Sequence, residues 1–240
     1  MSKETIYLEG LVLHSPEARL ELSRQFYQTL LDVPFKLEQH DRSPQHYSCW
    51  LGKTLLELYP PSPEKKPSSE MKISSFALDF STLDTDTVVK KMQACSFQPK
   101  APYYGGKTTT FSDPEERNIR LHNREGDVTP NLRLDEVVLH TRDPSETRLF
   151  YQQLLNTPFT EQSYGTGQVP FYSGKNSDIV LKLWPDNVYV APSPSLLFSC
   201  SALDQVKARM EKYSLEWKAL SEGKARLLDP DNRKIFLSQK

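Results

Sequence analysis

Cysteine is scarce. The 240 residues hold three, Cys49, Cys95 and Cys200, widely spaced and without a CxxC pair. That pattern excludes a disulfide framework or a thiolate zinc ribbon and points to buried, reduced thiols in a cytoplasmic setting. Net charge is almost absent too, with 30 Lys+Arg against 31 Asp+Glu. No field is left to hold nucleic acid or an anionic membrane, so neither is expected as a partner. No apolar run approaches the roughly 20 residues of a membrane span. The stretch from Met1 to Glu9 carries charge but no apolar signal core. GxSxG, HExxH and GxGxxG are all missing. The GKT of YYGGKTTT (Tyr103 to Thr110) has Ala101 where a phosphate loop needs glycine, so it reads as a hairpin turn. A hydrophobic content of 37% with a mean hydropathy of -0.59 leaves a soluble chain, long enough for one large domain or two ordinary ones.

What is present is a repeat. Phe26-Tyr27 returns as Phe150-Tyr151, and Pro34-Phe35 as Pro158-Phe159, both at an offset of 124. LLELYP (from Leu55) returns as VLKLWP (from Val180) at 125, and DPEERNIRL (from Asp113) as DPDNRKIFL (from Asp229) at 116. Ordered matches with small drifts mean tandem duplication with loop indels.

Each copy reads as strand, helix, then several strands. Alternating Glu9 to His14 and Asp135 to His140 predict half-buried strands. Ser15-Pro16 and Asp143-Pro144 each place a capping oxygen before a proline at the first helical position, and Glu146 adds a capping-box spacing. Leu22, Phe26 and Leu30 predict an apolar stripe, with Phe150 and Leu154 repeating it. Pro34 and Pro158 predict the helix stops. Strands follow at Tyr47 to Leu51, Thr54 to Tyr59, Val169 to Tyr172 and Ile179 to Trp184, with Gly52 and Gly174 read as hairpin turns. Beyond the proline-rich stretches at 60–70 and 185–195, a second strand and a second helix begin in each copy. The predicted fold is α+β, four βαβββ modules in two tandem domains. The first domain is 1–123 (modules about 5–60 and 71–123). A linker at 124–130 leads to the second, 131–240 (modules about 131–185 and 194–240).

FYQTLLDVPF and FYQQLLNTPF after the first strands, TLLELY closing a module, and the DP…I-x-L endings resemble the vicinal oxygen chelate superfamily. That group includes glyoxalase I, extradiol dioxygenases, fosfomycin-resistance enzymes and bleomycin-binding proteins. Two such domains in one chain are similar in layout to the dioxygenases. CppA-type proteins of Gram-positive cocci are a further comparison, although no motif distinctive of them is present. The resemblance implies paired modules whose sheets form a cup around a divalent metal. The ligands implied are His or Gln on each module's first strand and Glu on its final strand.

The implied positions fall on Glu9, Glu57, about Ser75 and Arg120 in the first domain. In the second they fall on Asp135, Lys182, about Ser195 and Phe236. Only Glu57 matches, and none is His. A guanidinium cannot ligate a cation, and Lys182 and Phe236 are equally unsuited. A cationic side chain is therefore expected to stand where the metal would be, with Arg120 paired to Glu9 or Glu57 and Lys182 to Asp135. A site of oxygen ligands built on Glu9 and Glu57 is the alternative. His14 and His140 precede the helices and are expected to hold loop backbone. His40, His46 and His122 show no ligand spacing.

Trp50, Tyr59, Tyr172 and Trp184 lie on the predicted cup strands and suit core packing or a flat ligand. The expected function is binding of a small hydrophobic or aromatic molecule, or an accessory role, without a metal or other cofactor. A divalent-metal lyase or extradiol-type dioxygenase is the alternative, and a protein-interaction module a third class. The expected oligomeric state is a monomer or weak dimer, since a tandem chain can satisfy its own module pairing.

Overall fold

A computed structural model describes residues 5–40, 44–61, 76–101, 105, 107–126, 132–163, 169–185, 194–211 and 217–240. The expected positions at Ser75, most of Tyr103 to Lys107, and the linker from 127 lie outside the described residues, as does much of both proline-rich stretches. The fold is α+β. In chain order its first half holds β1 (Ile6–His14), α1 (Glu17–Leu31), β2 (Lys36–Glu38), β3 (His46–Leu51) and β4 (Thr54–Tyr59). β5 (Phe76–Thr82), α2 (Thr85–Ala94), β6 (Thr108–Ser112) and β7 (Asn118–Asn123) follow. The second half repeats this with β8 (Leu132–Thr141), α3 (Pro144–Leu155), β9 (Thr160–Gln162), β10 (Phe171–Asn176) and β11 (Ile179–Pro185). Its last module is β12 (Ser195–Cys200), α4 (Leu203–Glu211), β13 (Trp217–Ser221), β14 (Lys224–Leu228) and β15 (Lys234–Gln239).

The strands form an eight-stranded sheet, ordered β13-β14-β15-β12-β1-β4-β3-β2, and a seven-stranded sheet, ordered β6-β7-β5-β8-β11-β10-β9. Both mix parallel pairs (β5 with β7, β12 with β15) with antiparallel hairpins. The chain separates into two compact units. One comprises 1–12, 138–189 and 194–240; the other comprises 13–137 and 190–193. The units therefore cut across the sequence halves, most of β1 going with the later half and the first part of β8 with the earlier one. β1 joins the later half because Ile6 to Val12 pairs antiparallel with β12. Asn176 also grips its backbone, accepting from Leu8 N at 2.7 Å and donating to Ile6 O at 2.9 Å.

α1 buries Leu20, Phe26, Tyr27, Leu30 and Leu31 and packs against α2 and β4. Leu22, expected in that stripe, is 45% exposed because it falls on the flank of the helix. α3 repeats the arrangement with Phe150, Tyr151, Leu154 and Leu155 against α4, β10 and β11. The caps differ between copies. Asp143 caps α3 by accepting from Ser145 N and Glu146 N at 3.0 Å each. Ser15 does not cap α1; its hydroxyl meets Ser23 Oγ at 2.9 Å and donates to Glu115 at 3.0 Å. Both helices stop at a left-handed residue, Asp32 and Asn156, two residues ahead of the prolines.

The clearest echo of the duplication is a buried latch. Tyr27 donates to Asp113 Oδ2 at 2.8 Å and Arg117 donates to the same oxygen at 2.9 Å. Asp113 Oδ1 accepts the turn N–H groups of Glu115 and Arg117, and the Arg117 guanidinium also donates to the backbone carbonyl of His14. The second copy matches it part for part. Tyr151 and Arg233 donate to Asp229 Oδ2 at 2.9 and 2.8 Å, and Arg233 donates to the carbonyl of His140. Each latch ties the first strand and helix of its repeat to the turn before the last strand. That is why FY and DPxxR recur together.

Two small-residue expectations change. Gly52 makes the β3–β4 turn at φ 62°, but Gly174 lies inside β10, and the turn falls at Ser177 (φ 57°). A Cβ at Gly174 would sit 2.5 Å from the Phe159 ring, so the glycine makes room for that ring. Val169, expected to open the strand, precedes it and is 61% exposed. Cys49 and Cys200 are buried, whereas Cys95 is exposed at the end of α2. Burial pushes the Cys49 thiol up to about 12.

Candidate functional site

Glu9 is the extra residue of a β-bulge, since Leu8 pairs with Phe198 and Gly10 with Leu197. A bulge re-aims its side chain and breaks the strand alternation. The carboxylate accepts from the hydroxyls of Ser199 and Ser238 and from the Lys240 ammonium. Burial pushes the carboxyl up, but the hydrogen bonds from Lys240 and Ser199 outweigh it and hold Glu9 below its usual range. The partners thus lie beyond the expected Ser195 and Phe236. Ser195 is buried opposite Val12, and Phe236 pairs with Leu197, two residues short of the Ser199–Ser238 pair.

Arg120 pairs with neither Glu9 nor Glu57. Its partner is Asp79 on β5, at 2.9 Å, directly opposite it in the parallel β5–β7 register. Asp79 is not among the expected positions; its signal in the sequence is the lone charge of FALDFS, between Leu78 and Phe80. Asp135 lies 2.5 Å from Arg133 Nε and 3.3 Å from His122 Nε2. Lys182 Nζ lies over the Phe171 ring, 5.7 Å from its centroid.

Glu57 belongs to a different group. It is buried on β4, beside His46 on β3, with Oε1 3.6 Å from His46 Nε2. His46 is fully buried, and its ring stacks on Tyr59 at 3.9 Å between centroids, interplanar angle 12°. The Tyr59 hydroxyl lies 3.1 Å from Nε2, and the Pro44 carbonyl 3.2 Å from Nδ1. Glu38 Oε2, at the end of β2, is 4.0 Å from His46 Nε2 and 3.7 Å from His40 Nε2. Burial lowers the His46 imidazole and raises the Glu57 carboxyl relative to their usual values. Spacing along the chain hid this group, because Glu38 closes β2, His40 lies beyond it and His46 opens β3.

Of the four aromatic candidates, Tyr59 belongs to the His46 corner and Trp50 is 53% exposed. Trp184 stacks on Phe171 at 4.8 Å, 23°. Tyr172, one residue along β10, points to the opposite face, where it lies beneath Arg148 and donates to Glu161. It does not share a surface with Trp184.

No protein-family profile matches the sequence, and no curated protein matches it. Solved structures do. Glyoxalase I from Zea mays aligns over 98% of this chain and 93% of its own, with a TM-score of 0.72 at 14% identity. A candidate dioxygenase from Bacillus subtilis aligns over 99% and 86%, with a TM-score of 0.68 at 11% identity. The cppA protein from Streptococcus pneumoniae aligns over 98% and 97%, with a TM-score of 0.54 at 15% identity. The fold is the vicinal oxygen chelate fold. A metal at that fold's usual strand positions does not fit these residues. Arg120 and Lys182 bring cationic side chains, Phe236 offers no donor atom, and Glu9 and Asp79 are already engaged by cationic side chains. No helix among the described residues is long and apolar enough to cross a membrane.

Proposed function

We propose that this chain is a small-molecule-binding or accessory protein that works without a metal centre at the vicinal oxygen chelate strand positions. The observation that carries the reading is the Arg120–Asp79 pair, a guanidinium seated on a carboxylate where such a centre would need an open cation site. Lys240 on Glu9 repeats the substitution with another residue pair. The exposed Trp50 and the Phe171–Trp184 stack suit a flat hydrophobic or aromatic ligand, as a monomer or weak dimer. Intrinsic tryptophan fluorescence against a panel of aromatic and hydrophobic molecules tests it. Saturable binding lost in Trp50→Ala or Trp184→Ala, with the fold intact, supports the reading. Glyoxalase or ring-cleaving dioxygenase turnover that requires added metal and disappears in Glu9→Gln would overturn it.

The second reading is a divalent-metal-dependent lyase or oxygenase. The observation favouring it is Glu57, the one fourth-strand residue of the expected type, buried beside His46.

A further inference from the structure

We propose that His46, His40 and Glu38, none of them at the fold's usual ligand positions, form a binding site for one divalent transition-metal ion of the zinc class at the β2–β3 edge. Their ligand atoms all lie within 4.8 Å of one another. A tetrahedral zinc shell, with bonds of about 2.0–2.2 Å, separates its ligand atoms by roughly 3.4 Å. The His40–Glu38 separation of 3.7 Å and the His46–Glu38 separation of 4.0 Å are close to that spacing. His40 is largely exposed, so its side chain can swing the remaining distance, while His46 is held in place.

The orientation of His46 carries the argument further. Pro44 O can only accept, so Nδ1 bears the proton and Nε2 presents its lone pair toward Glu38, Glu57 and Tyr59. An imidazole fixed by a backbone carbonyl on one nitrogen and directed at carboxylates with the other is the arrangement that metal-binding histidines use. An incoming cation would displace the Tyr59 hydroxyl from Nε2, leaving Tyr59 stacked on the ring. Glu57 places a second carboxylate within 3.6 Å of the same nitrogen and adds negative charge beside the ion.

The chain also contains its own control. The positions of Glu38, His46, Glu57 and Tyr59 recur in the second copy as Gln162, Phe171, Lys182 and Trp184. There, an aromatic stack and an overlying ammonium fill the same corner. Packing alone therefore does not require imidazole and carboxylate at this place. Two imidazoles and a carboxylate form the donor set of zinc, nickel or cobalt sites rather than of calcium or magnesium.

The test uses the full chain, stripped with chelator and titrated with Zn²⁺ by calorimetry, with Co²⁺ absorption reporting the coordination geometry. One equivalent is expected to bind with micromolar or tighter affinity. His40→Ala and Glu38→Gln, both at accessible positions, should each weaken binding at least about tenfold. His46→Phe, which copies the second repeat, should abolish it, and Cys95→Ser should leave it unchanged. Absence of saturable one-equivalent binding overturns the proposal, as does binding that survives both His40→Ala and Glu38→Gln or that is lost in Cys95→Ser alone. Turnover is not read, so this outcome is separate from the ligand-binding result above.

Discussion

The β2–β3–β4 corner and the β9–β10–β11 corner descend from one repeat and hold opposite chemistry. In the first, a buried imidazole stacks on Tyr59 between two carboxylates. In the second, Phe171 stacks on Trp184 beneath a lysine. The backbone pairing is the same, since Ser48 faces Glu57 and Ser173 faces Lys182 in the two hairpins. The latches behind the helices show the reverse pattern, with Tyr, Asp and Arg retained in both copies. Duplication has kept what closes each half and let the hairpin faces diverge, which is how a fold separates scaffold from site.

Breaking a latch should produce the largest effect. Arg117 and Arg233 are buried, and removing either takes from a buried aspartate the guanidinium that balances its charge. Truncation to Leu is expected to cost about 3–5 kcal/mol in urea unfolding. Arg233→Leu should cost more than Arg117→Leu, because Arg233 also donates to Asp231 at 3.2 Å. Equal losses would mean that Asp231 adds nothing. Next in size is Gly174→Ala. Its methyl would press on Phe159, for an expected loss of about 1–3 kcal/mol. Adding Phe159→Leu should recover much of the loss in thermal melting. The first copy has Cys49 at the equivalent position, buried without such a clash, so Cys49→Ala should cost less.

The scaffold was legible because its signals are local. The FY pair, the DP turns, Asp143 before proline and the alternating strands each act within a few residues. The sites were less legible because register and pairing across strands decide them. Asp79 meets Arg120 only through a parallel register, and Glu9 turns toward Ser199 only through a one-residue bulge. Gly174 reads as a turn until Phe159, fifteen residues earlier, is placed against it. His40 and His46 carry no linear metal spacing, and both lie beside the same carboxylate, that of Glu38.

Grafting the second corner onto the first sharpens the comparison further. His46→Phe, Glu57→Lys and Tyr59→Trp together should leave stability unchanged or raise it by up to about 2 kcal/mol, measured by melting in chelator. Replacing a buried polar group with well-packed apolar side chains is often neutral or favourable. A loss larger than that would show that the first corner's polar residues are structural and that the two corners are not interchangeable.

The smallest effect should come from Glu9, where the contrast with Glu57 is one of sign. Glu9 titrates below its ordinary value of about 4.5 in the folded chain, since the hydrogen bonds from Lys240 and Ser199 outweigh burial. A depressed carboxyl stabilises the fold above its unfolded value, and that contribution fades as pH falls through the folded one. Glu57 is raised by burial, so its contribution runs the other way, fully present below the unfolded value and lost as pH rises through the folded one. Glu9→Gln should therefore flatten the acid limb of the stability profile below about pH 4.5, while Glu57→Gln should steepen the limb above that pH. Because Lys240 is more than half exposed, the Glu9 difference should stay within about 1 kcal/mol and shrink in high salt. If both variants move the acid limb in the same direction, the two carboxylates share one environment and the distinction between them fails.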